Sequence, residues 1–411
     1  MSTDELLNRF LRYVKVDTTS NEESETYPST ECQLDLARML KEELESLGLQ
    51  NVSQNEFGIV MGTVPATKEG APTIAWFAHM DTSPEASGTN VKPVVRSNYD
   101  GGDIVPSGDP SQVIRAADVP EMAGMKGKTL ITSDGTTLLG ADDKAGVAII
   151  MTAAADLMED RTIPHGPIRV VFTCDEEVGR GTDKIDLAEI DAKVGYTVDG
   201  SELGSIEQET FSADMATVTV TGNNIHPGLA KGKMINAIRL AGQFLTRLPW
   251  HRLAPETTAG REPFLHPYVI EGGVPEVKIK VLLRSFDTAD LADQAEILRR
   301  VGATIVAEHP GASIDVSVKK QYRNMLEALR KEPRAVELAV EAARKAGVEP
   351  RYELIRGGTD GSRLSEMGLP TPNLWAGMYN YHSEREFACL EEMDASRKTL
   401  VELARLWGNE K

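Results

Sequence analysis

The first half of the chain alternates between helical hydrophobic patterns and short, continuous apolar runs. Leucines recur at helical spacing over residues 31–47, directly before Gly48, which predicts a helix that ends there. The runs TIAWFA (73–78) and PIRVVFT (167–173) are typical of strands covered on both faces. The segment GVAIIMTAAADLM between them predicts another helix. This alternation predicts an α/β fold with a mostly parallel sheet flanked by helices.

The pattern changes after about residue 209. Alternating or extended segments and helical segments then follow in the order β-α-β-β-α-β, which is the split unit of a ferredoxin-like α+β domain. The segments are 215–221, 234–248, 266–271, 277–283, 291–306 and 314–318. Patterns of the first type resume near residue 330. We therefore predict a discontinuous larger domain over 1–209 and 324–411, with a smaller domain inserted over 210–323.

The stretch Thr82–Gly127 contains several glycines and prolines and has no clear periodicity. We expect a long surface excursion there, either functional or carrying some structure of its own.

The net charge of the chain disfavours two classes of binding partner. The chain has 44 Lys and Arg against 63 Asp and Glu, a net charge of −19, which opposes contact with nucleic-acid phosphates or anionic lipid. Its N-terminus lacks a basic stretch followed by an apolar one, and no apolar run reaches the roughly 18 residues of a membrane span. We expect a cytoplasmic protein. Three widely spaced cysteines without a CxxC pattern favour free thiols over disulfides or a thiolate zinc site.

Candidate chemistry begins at His79, which directly follows a predicted buried strand in AHMDTSP. Ligand sites of open α/β sheets lie at the carboxyl ends of strands. Asp81, two residues on, is placed to accept the second ring N–H and so raise the basicity of a metal-bound imidazole. An isolated HxD pattern is weak evidence, and a hydrogen-bonded structural histidine is the alternative.

Acidic clusters follow other apolar segments. LLGADDKAG supplies Asp142 and Asp143, and FTCDEEVG supplies three acids ending at Glu177. Surface turns would also explain each cluster, but acids next to buried strands are costly unless cations or donors offset their repulsion. Together with an aspartate in YTVDG and a histidine in NYHSEREF, they form a carboxylate and imidazole set of five candidate metal ligands: His79, Asp142, Glu177, Asp199 and His382.

These motifs also carry a family resemblance. The sequence closely resembles the aminotripeptidase branch of the M20 family of co-catalytic zinc exopeptidases, over nearly the whole chain. The resemblance rests on the order and spacing of many segments, among them HMDTSP, LLGADDKAG, PHGPIRVVFTCDEEVG, GNNIHPGLAKG, PETTAGREPF, IRGGTDGSRLSEMGLPTPNL and YNYHSEREF.

The resemblance implies a zinc-exopeptidase-like fold, with the inserted domain acting as a lid, and two zinc ions per subunit. Asp142 would bridge the two ions, His79 and Asp199 would complete one site, and Glu177 and His382 the other. The residues alone leave zinc, cobalt and manganese open.

Catalytic roles are implied in the same way. Glu176 would be the general base for a water shared by the metals, with Asp81 supporting His79. His226 of the lid would donate to the oxyanion, although a loop histidine is the alternative. Arg356 and Arg284 are candidates for the peptide's terminal carboxylate, against the alternative of a solvated or salt-bridged arginine.

The implied function is an aminopeptidase that cleaves the N-terminal peptide bond of tripeptides, with a short peptide bearing a free N-terminus as substrate. An amidohydrolase acting on N-acyl amino acids or C-terminal residues is a rival, and so is a non-catalytic peptide-binding protein. Two departures from the family pattern are Cys174 and the segment Ser383–Arg385. Whether the protein forms a homodimer stays open.

Overall fold

A computed structural model describes residues 3–410 of the chain. The chain divides into two compact units. The first contains the chain up to Gln208, Glu327–Glu353 and the part from Thr359 onwards. The second contains Glu209–Leu326 together with the short segment Leu354–Gly358.

The elements before the inserted unit include the predicted helix ending before Gly48, the two predicted buried strands and the predicted helix between them, but five strands follow one another before that helix. They are α1 (Thr3–Tyr13), α2 (Gln33–Ser46), β1 (Gln50–Gln54), β2 (Val60–Val64), β3 (Ile74–His79), β4 (Val94–Arg96), β5 (Leu130–Thr132), α3 (Ala141–Glu159), β6 (Ile168–Thr173), α4 (Leu187–Ile190), β7 (Val194–Gly200) and β8 (Ser205–Thr210).

The second unit follows the predicted β-α-β-β-α-β order with β9 (Ser212–Thr221), α5 (Ala237–Arg247), β10 (Phe264–Gly272), β11 (Glu276–Ser285), α6 (Asp290–Glu308) and β12 (Ser313–Tyr322). Its four strands form an antiparallel sheet in the order β10-β11-β9-β12. Apolar side chains that alternate along β9 and β11 pack against α5 and α6, which gives this unit its own core. Period-two burial on one sheet face is the reason that the pattern could be read from sequence.

The remaining elements are α7 (Leu326–Leu329), α8 (Arg334–Lys345), β13 (Arg351–Ile355), α9 (Asp360–Met367), β14 (Asn373–Trp375), β15 (Met378–Tyr379), β16 (Phe387–Cys389) and α10 (Leu390–Trp407).

The large sheet has eight strands in the order β1-β2-β6-β3-β7-β14-β8-β13. Its central four strands, β6-β3-β7-β14, are mutually parallel, and antiparallel pairs lie outside them at β1-β2, β2-β6 and β14-β8. All six residues of β3 are buried, as expected for a strand covered on both faces. The predicted α/β class with an inserted α+β domain is confirmed, and the sheet is mixed at its margins.

The stretch Thr82–Gly127 carries structure of its own, one of the two alternatives expected for it. It contributes β4 to a small sheet in the order β15-β16-β5-β4 and carries a 3₁₀ helix at Pro120–Met125. Its side chains join a separate apolar cluster that includes Tyr99, Ile114 and Phe387. Three-residue strands are too short to show a period in the sequence, so this small sheet was not predicted.

Among residues 3–410, no helix is both long and apolar enough to cross a membrane.

Candidate metal centre

Three of the five predicted ligands lie at or just after the carboxyl ends of neighbouring parallel strands. His79 is the last residue of β3, and Asp199 is the penultimate residue of β7. Glu177 follows β6 after three intervening residues. Because β6, β3 and β7 are adjacent and parallel, their carboxyl ends meet at one edge of the sheet. This topology brings together side chains that are about 100 residues apart in sequence.

One half of the cluster is built around His79. Its Nε2 lies 3.0 Å from Oδ1 of Asp142 and 3.6 Å from Oδ1 of Asp199. His79 is buried. A ring nitrogen and two carboxylate oxygens therefore converge on one point, as the ligands of a cation do.

The other half is built around His382. Its Nε2 lies 2.8 Å from Oε2 of Glu177 and 3.4 Å from Oδ2 of Asp142. His382 adopts a left-handed backbone conformation, with φ of 60°, in the loop between β15 and β16. The two oxygens of Asp142 therefore face different histidines, which is the arrangement a carboxylate bridging two ions requires.

Asp143 also belongs to this cluster, although the sequence pattern did not predict a role for it. Ligand atoms of His79, Asp143 and Asp199 lie within 4.8 Å of one another, as do those of His79, Asp142 and Glu177. The oxygens of Asp143 accept hydrogen bonds from the main-chain N–H of His79, at 3.3 Å, and of Gly146, at 3.1 Å. In the sequence, the feature that pointed to Asp143 was its position directly after Asp142.

The crowded carboxylates alter one another's ionisation. Burial raises the pKa of Asp199 to about 7 and that of Glu177 to about 8, and the charge of Asp142 adds to both shifts. Burial opposes a positive charge on His382, but its contacts with Asp142 and Glu177 outweigh this and raise the pKa of His382 to about 11. A bound cation would instead favour ionised carboxylates and neutral imidazoles.

The residues fit a divalent metal by their chemistry. Carboxylate oxygens and imidazole nitrogens are ligands that zinc accepts. The Oε1 atom of Glu177 is buried and has no hydrogen-bond partner among residues 3–410. A buried carboxylate oxygen without a partner is costly, and a cation beside it would supply the missing interaction.

Asp81 forms hydrogen bonds to several groups of this centre. The Nδ1 atom of His79 lies 3.0 Å from the main-chain oxygen of Asp81 and 3.4 Å from its Oδ1. The two carboxylate oxygens of Asp81 accept the main-chain N–H groups of Glu176, at 3.0 Å, and Glu177, at 3.1 Å. The sequence predicts only the contact to the ring. Asp81 thus orients the imidazole and also the acidic loop that follows β6.

Glu176 lies next to the predicted ligand Glu177 in that loop. Burial raises the pKa of Glu176 well above its ordinary value of 4.5, and the positive charge of His79 only partly opposes this shift. Asp175, also in the loop, is buried and accepts bonds from the main chain and hydroxyl of Ser29 and from Gln33. A raised carboxyl pKa in a fixed loop suits a group that accepts and returns a proton.

Asn373 and Glu207 are further residues near the centre, and no sequence motif predicts a role for them. The Oδ1 atom of Asn373 accepts the main-chain N–H of Asp199 at 3.1 Å. Its Nδ2 donates to Oε2 of Glu207 at 2.5 Å. An asparagine on a short strand carries no sequence signal for such a role.

His226 is in the second unit, at the start of a 3₁₀ turn, Pro227–Leu229. Its side chain is exposed, and Nδ1 accepts the main-chain N–H of Gly228 at 3.1 Å. That bond leaves Nε2 as the ring atom available to donate.

Arg284, also in the second unit, is buried. Its Nη1 donates to the main-chain oxygens of Leu283, at 3.0 Å, and Asp214, at 3.2 Å. The guanidinium lies over the ring of Tyr322, 5.5 Å from its centroid. These contacts are those of a buried, packed arginine, whereas the alternative weighed from the sequence was a solvated or salt-bridged one.

Arg356 holds a loop of the second unit. Its Nη1 donates to the main-chain oxygens of Gly260, at 2.7 Å, and Glu262, at 2.9 Å, and its Nη2 donates to Oγ1 of Thr258 at 3.0 Å. The guanidinium also lies over two aromatic rings, 5.2 Å from Phe211 and 5.5 Å from Phe264. Much of the hydrogen-bonding capacity of the Arg356 guanidinium is therefore used in contacts with this loop.

Comparisons with known proteins agree on one family. The model of peptidase family M20/M25/M40 matches residues 132–406. Peptidase T of Geobacillus thermodenitrificans (strain NG80-2) is 47% identical over 404 residues, with 98% of each chain covered. Among solved structures, aminopeptidase PepT from Bacillus cereus aligns with a TM-score of 0.76 at 27% identity over 99% of each chain. A tripeptidase from Staphylococcus aureus aligns with a TM-score of 0.78 at 26% identity over 100% of each chain.

Proposed function

The chain belongs to peptidase family M20/M25/M40, and from this premise we propose that it is an aminopeptidase that removes the N-terminal residue of tripeptides. The family predicted from the sequence is confirmed, and with it a peptidase activity. The tripeptide and its free N-terminus are inferred from the relatives' names, peptidase T and tripeptidase.

Two zinc ions are the proposed cofactor. His79 and Asp199 would hold one ion and Glu177 and His382 the other, with Asp142 shared by both. When bound there, a pair of divalent cations supplies an acidified water and polarises the carbonyl of the scissile bond. The observation that carries this assignment is that Asp142 presents one carboxylate oxygen to each histidine, at 3.0 Å and 3.4 Å.

Glu176 is the proposed general base. It takes a proton from the attacking water and returns it to the departing amine. Asp81 fixes the main-chain N–H groups of Glu176 and Glu177, so the base and a ligand keep one geometry.

The second unit supplies the proposed substrate contacts. Nε2 of His226 donates a hydrogen bond to the oxyanion that develops on the scissile carbonyl. Arg356 and Arg284 remain candidates for the terminal carboxylate of the peptide. For Arg356 this role needs donors beyond those already bonded to the loop Thr258–Glu262, or a rearrangement of that loop.

A panel of three substrates tests the proposal: a tripeptide, the corresponding dipeptide and the N-acetylated tripeptide, each assayed with chelated and zinc-restored protein. We expect zinc-dependent release of the first residue from the tripeptide, with little cleavage of the other two. Rapid cleavage of the acetylated peptide would favour the N-acyl amidohydrolase instead. Absence of hydrolysis from a zinc-loaded chain would favour a peptide-binding protein.

A further inference from the structure

Glu386 forms hydrogen bonds within both of the loops that carry Asp142 and His382. It lies directly before β16, four residues after His382, and its side chain is buried. Its Oε2 accepts the main-chain N–H groups of Leu139 and Gly140, both at 2.7 Å. Its Oε1 accepts the main-chain N–H of Asp142 at 2.9 Å. One carboxylate therefore satisfies three N–H groups of a neighbouring loop.

That loop departs from regular helical geometry. Gly140 has a φ of 79°, and Asp142 departs from helical geometry with φ of −80° and ψ of 106°. The N–H groups before the regular part of α3 have no partner within the helix. Charge-assisted hydrogen bonds to a carboxylate are shorter and stronger than bonds between neutral groups. The carboxylate of Glu386 thus sets the position of the Asp142 main chain.

Glu386 also stabilises the loop that carries His382. The main-chain N–H of Glu386 donates to the oxygen of Ser383 at 3.2 Å, and the Ser383 hydroxyl donates to the oxygen of Asn380 at 2.6 Å. These bonds form a compact turn immediately around His382. A displacement of Glu386 would therefore move the supports of both Asp142 and His382.

We propose that Glu386 is a positioning residue of the metal centre, which holds the bridging carboxylate of Asp142 and the imidazole of His382 at the separation that two ions need. The inference rests on the proposed di-metal site. Both oxygens of Glu386 are bonded to N–H groups, so it acts through the ligands and is not one itself. Residues that orient metal ligands typically change metal affinity or activity by about 10- to 100-fold when replaced.

The test compares Glu386→Gln with Glu392→Gln in the full chain. Both replacements keep the size of a buried carboxylate, but Glu392 accepts from Lys128 Nζ, at 2.9 Å, and the Tyr379 hydroxyl, at 2.7 Å, and not from the Asp142 loop. In Glu386→Gln an amide NH₂ replaces one of the oxygens that face the N–H donors. We expect its zinc affinity, measured by competition with a chromogenic chelator, to fall about 10- to 100-fold.

Glu392→Gln should bind zinc as the parent does. Glu386→Asp keeps the charge but withdraws the carboxylate, so its zinc affinity should lie between those of the parent and Glu386→Gln. If Glu386→Gln fails to fold, the zinc affinity of Glu386→Asp tests the proposal instead. Parent-like zinc affinity in the Glu386 variants, or an equal loss in Glu392→Gln, would overturn the proposal.

An Asp142→Asn variant separates this proposal from the site on which it rests. If Asp142→Asn loses zinc and the Glu386 variants do not, the positioning role is wrong and the metal site stands. If Asp142→Asn binds zinc as tightly as the parent, the metal site itself is wrong, and the positioning role fails with it. Chelator competition needs no substrate, so either result is independent of peptidase activity.

Discussion

Nε2 of His382 lies 2.8 Å from Oε2 of Glu177, the shortest separation between an imidazole and a carboxylate at the metal centre. His79 lies instead beside Asp142 and Asp199. The pairing predicts that the two ions depend on different histidines. We expect His382→Ala to lower bound zinc from about two ions per chain to about one, measured by elemental analysis after dialysis.

The contrasting variant is Asp142→Asn, which weakens the ligand shared by both ions and should lower the occupancy of both. If His382→Ala kept two ions at parental affinity, the assignment of His382 as a ligand would be wrong.

Glu176→Gln tests the general base. The amide cannot accept the proton of the attacking water, so kcat should fall by at least about 100-fold. Zinc content should not change, because the proposed ligands stay in place. Glu69→Gln, at an exposed site, is the control for the same chemical change and should keep parental kcat. Parental turnover in Glu176→Gln would assign the base elsewhere.

His226→Ala tests the oxyanion contact. Removing one donor to a developing oxyanion typically costs about 100- to 1,000-fold in kcat, because the bond forms chiefly in the transition state. KM for the tripeptide should change much less. His251→Ala is a matched control, since His251 is another exposed histidine of the second unit. Equal kcat values for the two variants would exclude the role.

Arg356→Lys separates two uses of the guanidinium. If Arg356 grips the terminal carboxylate, the variant should lose roughly tenfold or more in kcat/KM for a tripeptide and much less for the tripeptide amide. If Arg356 only holds the loop Thr258–Glu262, both substrates should lose equally. Arg261→Lys is the comparison, since Arg261 belongs to that loop and pairs with Glu209 at 2.6 Å.

Three of the five proposed metal ligands could be predicted from the sequence because continuous apolar runs mark buried strands and so show where those strands end. His79, Glu177 and Asp199 each follow or end a buried strand, and parallel packing brings such ends to one edge. The alternation along β9 and β11 likewise follows from burial on one sheet face. In both cases the prediction follows from the hydrophobic pattern of neighbouring residues.

The remaining features depend on contacts between residues that are distant in sequence. Glu386 bonds to main-chain groups 244–247 residues away, and its own surroundings resemble those of any glutamate before a short strand. Arg356 contacts a loop 94–98 residues earlier in the chain. Main-chain hydrogen-bond partners leave no periodic signal in a single sequence, so these roles emerge only from the structure.

Zinc titration of the chelated protein tests the central claim most directly. With tripeptide hydrolysis and bound zinc measured in the same samples, we predict that activity is absent without metal and reaches its plateau at about two equivalents of zinc per chain. Full activity in the chelated protein, or saturation of both signals at about one equivalent, would contradict a carboxylate-bridged pair of ions between His79 and His382.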